Sequence, residues 1–245
     1  MNKHRSSRRR ALTATAITTD TRINSIVLCR LLQLCSPALP VGAYAYSQGL
    51  ECAVERGWVQ DEASASDWIL GLLDHNVRWL DIPILARLYR AWRERDADAA
   101  RRWNARLHAS REAAELQRED QQLGAALARL LADLGLDEAA AWRNTPRGCF
   151  ATLFSLAAAR WDIPLLETTT GYAWAWTENQ VTVATRLIPL GQTASQRLLV
   201  AAGPAIAAAV AHGLALPDEE IGAAAPGLAL AGALHETQYS RLFRS

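Results

Sequence analysis

The chain has 245 residues, half of them hydrophobic, and a formal net charge of +1, which is enough apolar material for one large domain or two small ones. The charge is uneven: residues 1–22 hold Lys3, Arg5, Arg8, Arg9, Arg10 and Arg22 against Asp20 alone, so the remaining body sits near −4 and does not steer polyanions as a whole. Lys3 is the only lysine, which excludes a Gly-Lys-Ser/Thr phosphate loop and a Schiff-base lysine in the body.

Residues 1–22 are rich in Arg, Ser and Thr, a composition shared by transit peptides and by plain disordered arms. No apolar core of about 7–15 residues follows Arg10, so a secretory leader is not expected. The segment is read as a disordered basic arm and the protein as cytoplasmic. Residues 23–35 form a first predicted helix, stopped by Ser36-Pro37-Ala38-Leu39-Pro40. Val41-Gly42 turns the chain into a polar-aromatic segment, helical from Ser47, with Gly57 as its C-terminal stop.

Residues 61–80 are amphipathic, with Trp68, Ile69, Leu72, Leu73, Val77 and Leu80 at helical spacing. Asp81 is expected to N-cap the next helix, which ends near Asp96. A further helix runs from about Asp98 into a long element over 110–134. Its seam is Ala109, Ala113, Leu116, Asp120, Leu123, Leu127, Leu130 and Leu134. Asp120 is the one acid there, costly unless it is paired or at an edge. Either the helix rolls so that Asp120 reaches solvent, or residues 111–122 face a partner while 123–134 are buried.

Residues 144–148 are a loop and 149–161 an apolar helix. Ile163-Pro164 opens another helix, carrying Tyr172, Trp174 and Trp176 and ended by Glu178-Asn179. Residues 181–188 read as a strand or a short bridging helix, and Pro189-Leu190-Gly191 as a turn. Residues 193–213 are helical with a kink or break at Gly203-Pro204. The run 198–217 has no charged residue and is long enough to span a bilayer. Eight of its residues are alanine, so a buried, tightly packed helix pair is the better reading. After a turn over 217–222 comes a last alanine-rich helix, 223–234. The fold expected is all-α: a single-domain bundle of roughly ten helices over residues 23–234, with the arm before it and a tail, 235–245, after it.

No catalytic constellation emerges. The thiols Cys29, Cys35, Cys52 and Cys149 lack Cys-x-x-Cys spacing and read as reduced and mostly buried. His235-Glu236 begins like a zinc-protease helix, but Tyr239 stands where the second histidine belongs. No two histidines are three or four residues apart, so no metal or other cofactor is expected on this chain. Arg111, Glu112, Glu115, Arg118, Glu119 and Asp120 read as a solvated, salt-bridge-laced face. Glu115 and Glu119 repel at i,i+4, and a partner presenting arginine or lysine would relieve that. Two other functions stay open: a small-molecule enzyme using the Glu112–Asp120 carboxylates with Arg186, and nucleic-acid binding through the arm.

The tail is different in kind: His235, Glu236, Thr237, Gln238, Tyr239, Ser240, Arg241, Leu242, Phe243, Arg244, Ser245. Tyr, Phe and Arg dominate protein–protein hot spots, and Leu242-Phe243 between two arginines suits a partner's groove. The competing reading is a frayed end.

Four segments resemble the urease accessory protein family UreF. The first is Leu39-Pro40-Val41-Gly42-Ala43-Tyr44-Ala45-Tyr46-Ser47-Gln48-Gly49-Leu50-Glu51, similar to a proline-glycine, aromatic-Ser-x-Gly-Leu-Glu signature. The others are the acidic helix Ser110-Arg111-Glu112 through Arg118-Glu119 to Leu123-Gly124, the run Arg186 to Pro189-Leu190-Gly191-Gln192-Thr193, and the terminal Ser240-Arg241-Leu242-Phe243-Arg244-Ser245. Leu39 stands where an aromatic is common, Ala43 and Ala45 replace bulkier or more polar neighbours, and the arm is longer than expected. The resemblance implies a non-enzymatic, homodimeric chaperone for nickel insertion into apo-urease. It implies complex formation with UreD (also called UreH) and regulation of the GTPase UreG, the nickel being handled by the complex. It places UreD on residues 235–245, in a tail expected to be loosely packed until UreD makes it helical. It also places a dimer- or GTPase-facing surface on Tyr44, Tyr46, Ser47, Gln48, Glu51, Arg111, Glu112, Glu119, Asp120, Arg186 and Gln192. No nucleic acid or membrane partner is implied.

Overall fold

The computed structural model describes residues 23–145, 147–222 and 225–245. The basic arm lies outside these residues, as do Ala223 and Ala224 of the last predicted helix. Every regular element among the described residues is helical, as the periodicities require.

Helix α1, Ser25–Cys35, starts where the Asn24 side chain accepts from Ile26 N at 2.8 Å. A 3-10 turn, Ala43–Ala45, leads to α2, Leu50–Glu55, and Gly57 ends α2 with φ +72°. Helix α3, Glu62–Leu72, opens with an Asp61/Ser64 capping box. It passes without a break through a π-helical stretch, Leu73–Asp81, into α4, Ile82–Glu94. Pro83 accounts for the widened turn. It has no N–H to give the carbonyl four residues back, and that carbonyl, Trp79 O, accepts from Gly222 N at 3.1 Å instead. Asp81 is therefore no N-cap: its backbone is helical, it caps nothing, and its side chain turns into the core.

Helices α5, Ala97–Ala109, and α6, Ala114–Asp133, are separate. The break turns Arg111 inward towards two buried aspartates. After the short α7, Asp137–Ala140, comes α8, Phe150–Arg160, buried along nearly its whole length and wrapped by α4, α6 and α9. A helix apolar all round belongs in the middle, and Ala157, Ala158 and Ala159 let its neighbours approach. Phe154 lies edge-on to Tyr172 with ring centroids 5.5 Å apart.

Helix α9, Leu165–Leu187, corrects two expectations: Glu178-Asn179 does not end it, and residues 181–188 neither form a strand nor stand as a separate helix. Val181, Val183 and Ala184 bury in a second apolar cluster with Leu50, Val59, Ile69 and Leu198, and that packing overrides their β preference. Helix α10, Gln192–Ala215, carries Pro204 within it rather than breaking there. The run 198–217 was expected to form a buried, tightly packed helix pair; its part up to Ala215 belongs to one helix, of which only one face is buried. Ile206, Ala209 and Val210 pack inward, while Val200 is 77% exposed among exposed alanines. By length and composition alone it could cross a membrane, but alanine gains little from lipid. Helix α11, Pro226–His235, closes the chain. The cysteines are free; Cys52 and Cys149 are buried, Cys35 is half-buried and Cys29 is exposed.

Candidate docking site

The signature segment and the tail meet. Gln48 and Gly49 both adopt left-handed backbone, φ +52° and +78°, and so swing Ser47 and Glu51 inward. Gly49 is needed on two counts: its φ, and a Cβ that would stand 2.9 Å from Ala231 Cβ of α11. From the other side α6 presents Glu115 and Glu119 one turn apart, both buried.

The last residue of α11 lies between these two elements. His235 is fully buried, with Nδ1 2.6 Å from Glu115 Oε2 and Nε2 3.1 Å from Glu51 Oε2. Arg241 then donates to Glu115 at 2.8 Å. Leu242 N and Phe243 N donate to the two Glu51 oxygens at 2.6 and 2.9 Å. Arg244 N donates to Ala45 O and Ser47 N to Ser245 O, each at 2.8 Å, and Ser245 Oγ donates to Glu119 Oε2 at 2.7 Å. Phe243 enters the second apolar cluster beside Leu50 and Val183.

The tail is thus neither frayed nor waiting for a partner to order it. Buried carboxylates need donors, and the tail's two amides, one guanidinium and one imidazole supply them in a non-helical turn. The cation expected to relieve the Glu115–Glu119 repulsion is Arg241 of the same chain.

Of the acidic face, Glu112 and Arg118 are exposed, but the rest is not solvated. Arg111 donates to Asp81 at 2.6 and 3.2 Å and to Asp120 at 3.1 Å. Asp120 also accepts from Phe150 N at 2.7 Å, capping α8, and Asp81 from Tyr172 Oη at 3.1 Å. Burial alone would lower the Arg111 pKa, but the carboxylates of Asp81 and Asp120 more than offset it and hold it well above the ordinary value. Burial drives the Tyr172 phenol well up. Asp120 therefore neither rolls to solvent nor offers itself to a partner.

Glu119 separates the tail from a cavity of about 320 Å3, lined also by Gln48, Trp176, Leu123, Phe150 and Cys35. Burial raises its pKa to about 7 against hydrogen bonds from Gln48 and Ser245. A carboxyl raised in the folded state contributes stability fully present below its unfolded pKa, lost as pH rises through 7. A rise of that size makes this limb span up to about 3 kcal/mol. Glu119→Gln is expected to flatten it, measured as the difference in urea midpoint between pH 5 and pH 8. An equal difference in parent and variant would remove Glu119 as the cause.

Of the residues assigned to a dimer- or GTPase-facing surface, Tyr46, Ser47, Glu51, Glu119 and Asp120 are buried, and Arg111 nearly so. They are turned inward: Tyr46 bonds Gln122, the tail takes Ser47, Glu51 and Glu119, and Arg111 and Asp120 pair with each other. Tyr44 is exposed and accepts through its carbonyl from Arg186 at 3.4 Å, at the cavity mouth. Glu112 and Gln192 are exposed and join neither group. Asp81, Tyr172, Trp176 and Gln122 were missed; Tyr46 Oη bonds Gln122, and Trp176 Nε1 donates to Gln48 at 2.7 Å. Nothing in local sequence marks them, since their partners lie 30 to 128 residues away.

The sequence profile of the UreF family matches residues 59–203, more than half of the chain. The chain belongs to the UreF family. It is 55% identical to the urease accessory protein UreF of Alkalilimnicola ehrlichii over 216 residues, 88% of this chain and 95% of that protein. It is 52% identical to the UreF of Chromohalobacter salexigens over 221 residues, 90% and 95% of the two. Membership makes the chain an accessory protein rather than an enzyme. Catalysis by the Glu112–Asp120 carboxylates would need a pocket and a displaced carboxylate, and both are present. Yet each oxygen of Asp81, Glu119 and Asp120 already accepts a hydrogen bond from the chain itself, so none stands free as an acid or base.

Proposed function

We propose that this accessory protein is a non-catalytic docking subunit in nickel insertion into apo-urease. It holds UreD through the outer face of its seated tail and, within that assembly, engages and regulates the GTPase UreG. It works as a cytoplasmic homodimer, with the nickel carried by the complex and no cofactor, nucleic acid or membrane of its own. The observation that carries this reading is the two-sidedness of the tail. Its inner side is fastened by Glu51, Glu115 and Glu119, while Tyr239 is fully exposed and Leu242 is 68% exposed. Large side chains on a backbone held in place bind with little ordering cost.

The test separates the two sides. Tyr239→Ala with Leu242→Asp is expected to weaken capture of UreD at least tenfold in co-purification while leaving the unfolding midpoint unchanged. Undiminished capture would refute the tail assignment.

A further inference from the structure

The tail and the cavity share a wall. Glu119 receives Ser245 Oγ from the tail side at 2.7 Å and Gln48 Nε2 from the cavity side at 2.7 Å. Gln48 in turn accepts from Trp176 Nε1 at 2.7 Å through its own Oε1. Glu119, Gln48 and Trp176 all line the cavity. One chain of hydrogen bonds therefore runs from the end of the tail to the cavity wall.

That chain is poised rather than relaxed. Gln48 is not glycine, yet it sits at φ +52°, a conformation that persists only while its surroundings hold it. Glu119 is a buried carboxyl with two side-chain donors among the described residues. When the tail leaves, it loses one of them and its side chain gains a route to water where Ser245 stood. A buried group short of a partner is unfavourable, so Glu119 turns to that water and gives up Gln48, whose backbone is then free to relax.

We propose that the C-terminal tail is a lid coupled to the cavity through Glu119 and Gln48: seating the tail closes the wall, and lifting it lets Gln48 and Trp176 relax and opens the cavity. The coupling is a property of this chain and does not depend on which partner takes up the tail. Whatever binds the inner side of the tail in place of Glu51 and Glu115 opens the cavity, and whatever fills the cavity mouth alters how tightly the tail sits, because the linkage is reciprocal.

The chain carries its own reporter. Cys35 lines the cavity half-buried, and burial pushes its thiol up to about 12. Opening the wall admits water, which exposes the sulfur and restores its acidity, and both accelerate alkylation. Cys149 is fully buried in the main core, so where the core packing is unaltered it reports global unfolding alone.

The experiment is timed alkylation of the full-length chain by N-ethylmaleimide in a Cys29→Ser background, read by peptide mass spectrometry. Phe243→Asp places a charge in the second apolar cluster and lifts the tail, and tryptic cleavage at Arg241 verifies the release. The expected result is a rise of at least tenfold in the Cys35 rate with Cys149 unchanged. Gln48→Gly removes the relay and its backbone strain while the tail stays seated and resistant at Arg241. It too is expected to raise Cys35 at least tenfold with Cys149 unchanged. A Cys35 rate within twofold of the parent with the tail free overturns the proposal. If Phe243→Asp exposes Cys149 as well, Gln48→Gly decides: Cys35 still protected, or Cys149 rising with it, overturns the coupling.

Discussion

Arg111→Met is expected to lower the stability of the chain by about 3–5 kcal/mol, because it strands two buried carboxylates. Asp81 and Asp120 are 3% and 6% exposed, and among the described residues Arg111 is the one cation that bonds either of them. The same side chain joins the end of the π-helical stretch to α6, and through Asp120 to the first turn of α8. Its loss therefore loosens two elements and their hold on the central helix at once. For a chain of this size the deficit corresponds to a fall in melting temperature of roughly 6–20 °C. Circular dichroism during urea and thermal unfolding measures it. A triple variant adding Asp81→Asn and Asp120→Asn is expected to recover part of the loss, since the charges that needed Arg111 are then gone. A single variant within 1 kcal/mol of the parent would show that the aspartates are not buried as described.

Gly124→Val is expected to cost about 3 kcal/mol, at the upper end of overpacking. A Cβ at Gly124 would lie 2.1 Å from Gly148 O and 2.9 Å from Gly148 C and Cys149 C. The obstacle is backbone, and it is fastened in place. Asn104 Nδ2 donates to Arg147 O at 2.8 Å, while its Oδ1 accepts from Cys149 N at 2.9 Å and Thr152 Oγ1 at 2.7 Å. Asp120 holds Phe150 N. Making room for valine breaks some of these bonds. The direct readout is Cys149: sealed in the parent, it is expected to become alkylatable in the native variant. A Cys149 as protected as the parent's, with an unchanged midpoint, would show that α6 and the 147–149 segment stand further apart.

What was legible in the chain follows from local rules. Gly57 and the apolar period that begins at Trp68 act within a few residues, so the end of α2 and the start of α3 came out close to their places. The misreadings share one cause. Val181 and Val183 look like strand residues until the second cluster claims them, and Asp81 looks like a cap until Arg111 draws it inward. Glu115, Glu119 and Asp120 look like a solvated face because charge run and exposure usually go together. Here the compensating groups come from Arg111 and from a tail 120 to 126 residues on.

By itself, then, the sequence determined the helical class, the absence of a lysine-based phosphate site and, through the 39–51 and 240–245 motifs, the family. Only the tertiary structure decided what those motifs do to each other. A helix is written in periods of three and four residues, whereas a buried carboxylate is settled by whichever donors folding brings to it, and no local pattern names a donor on the far side of the chain.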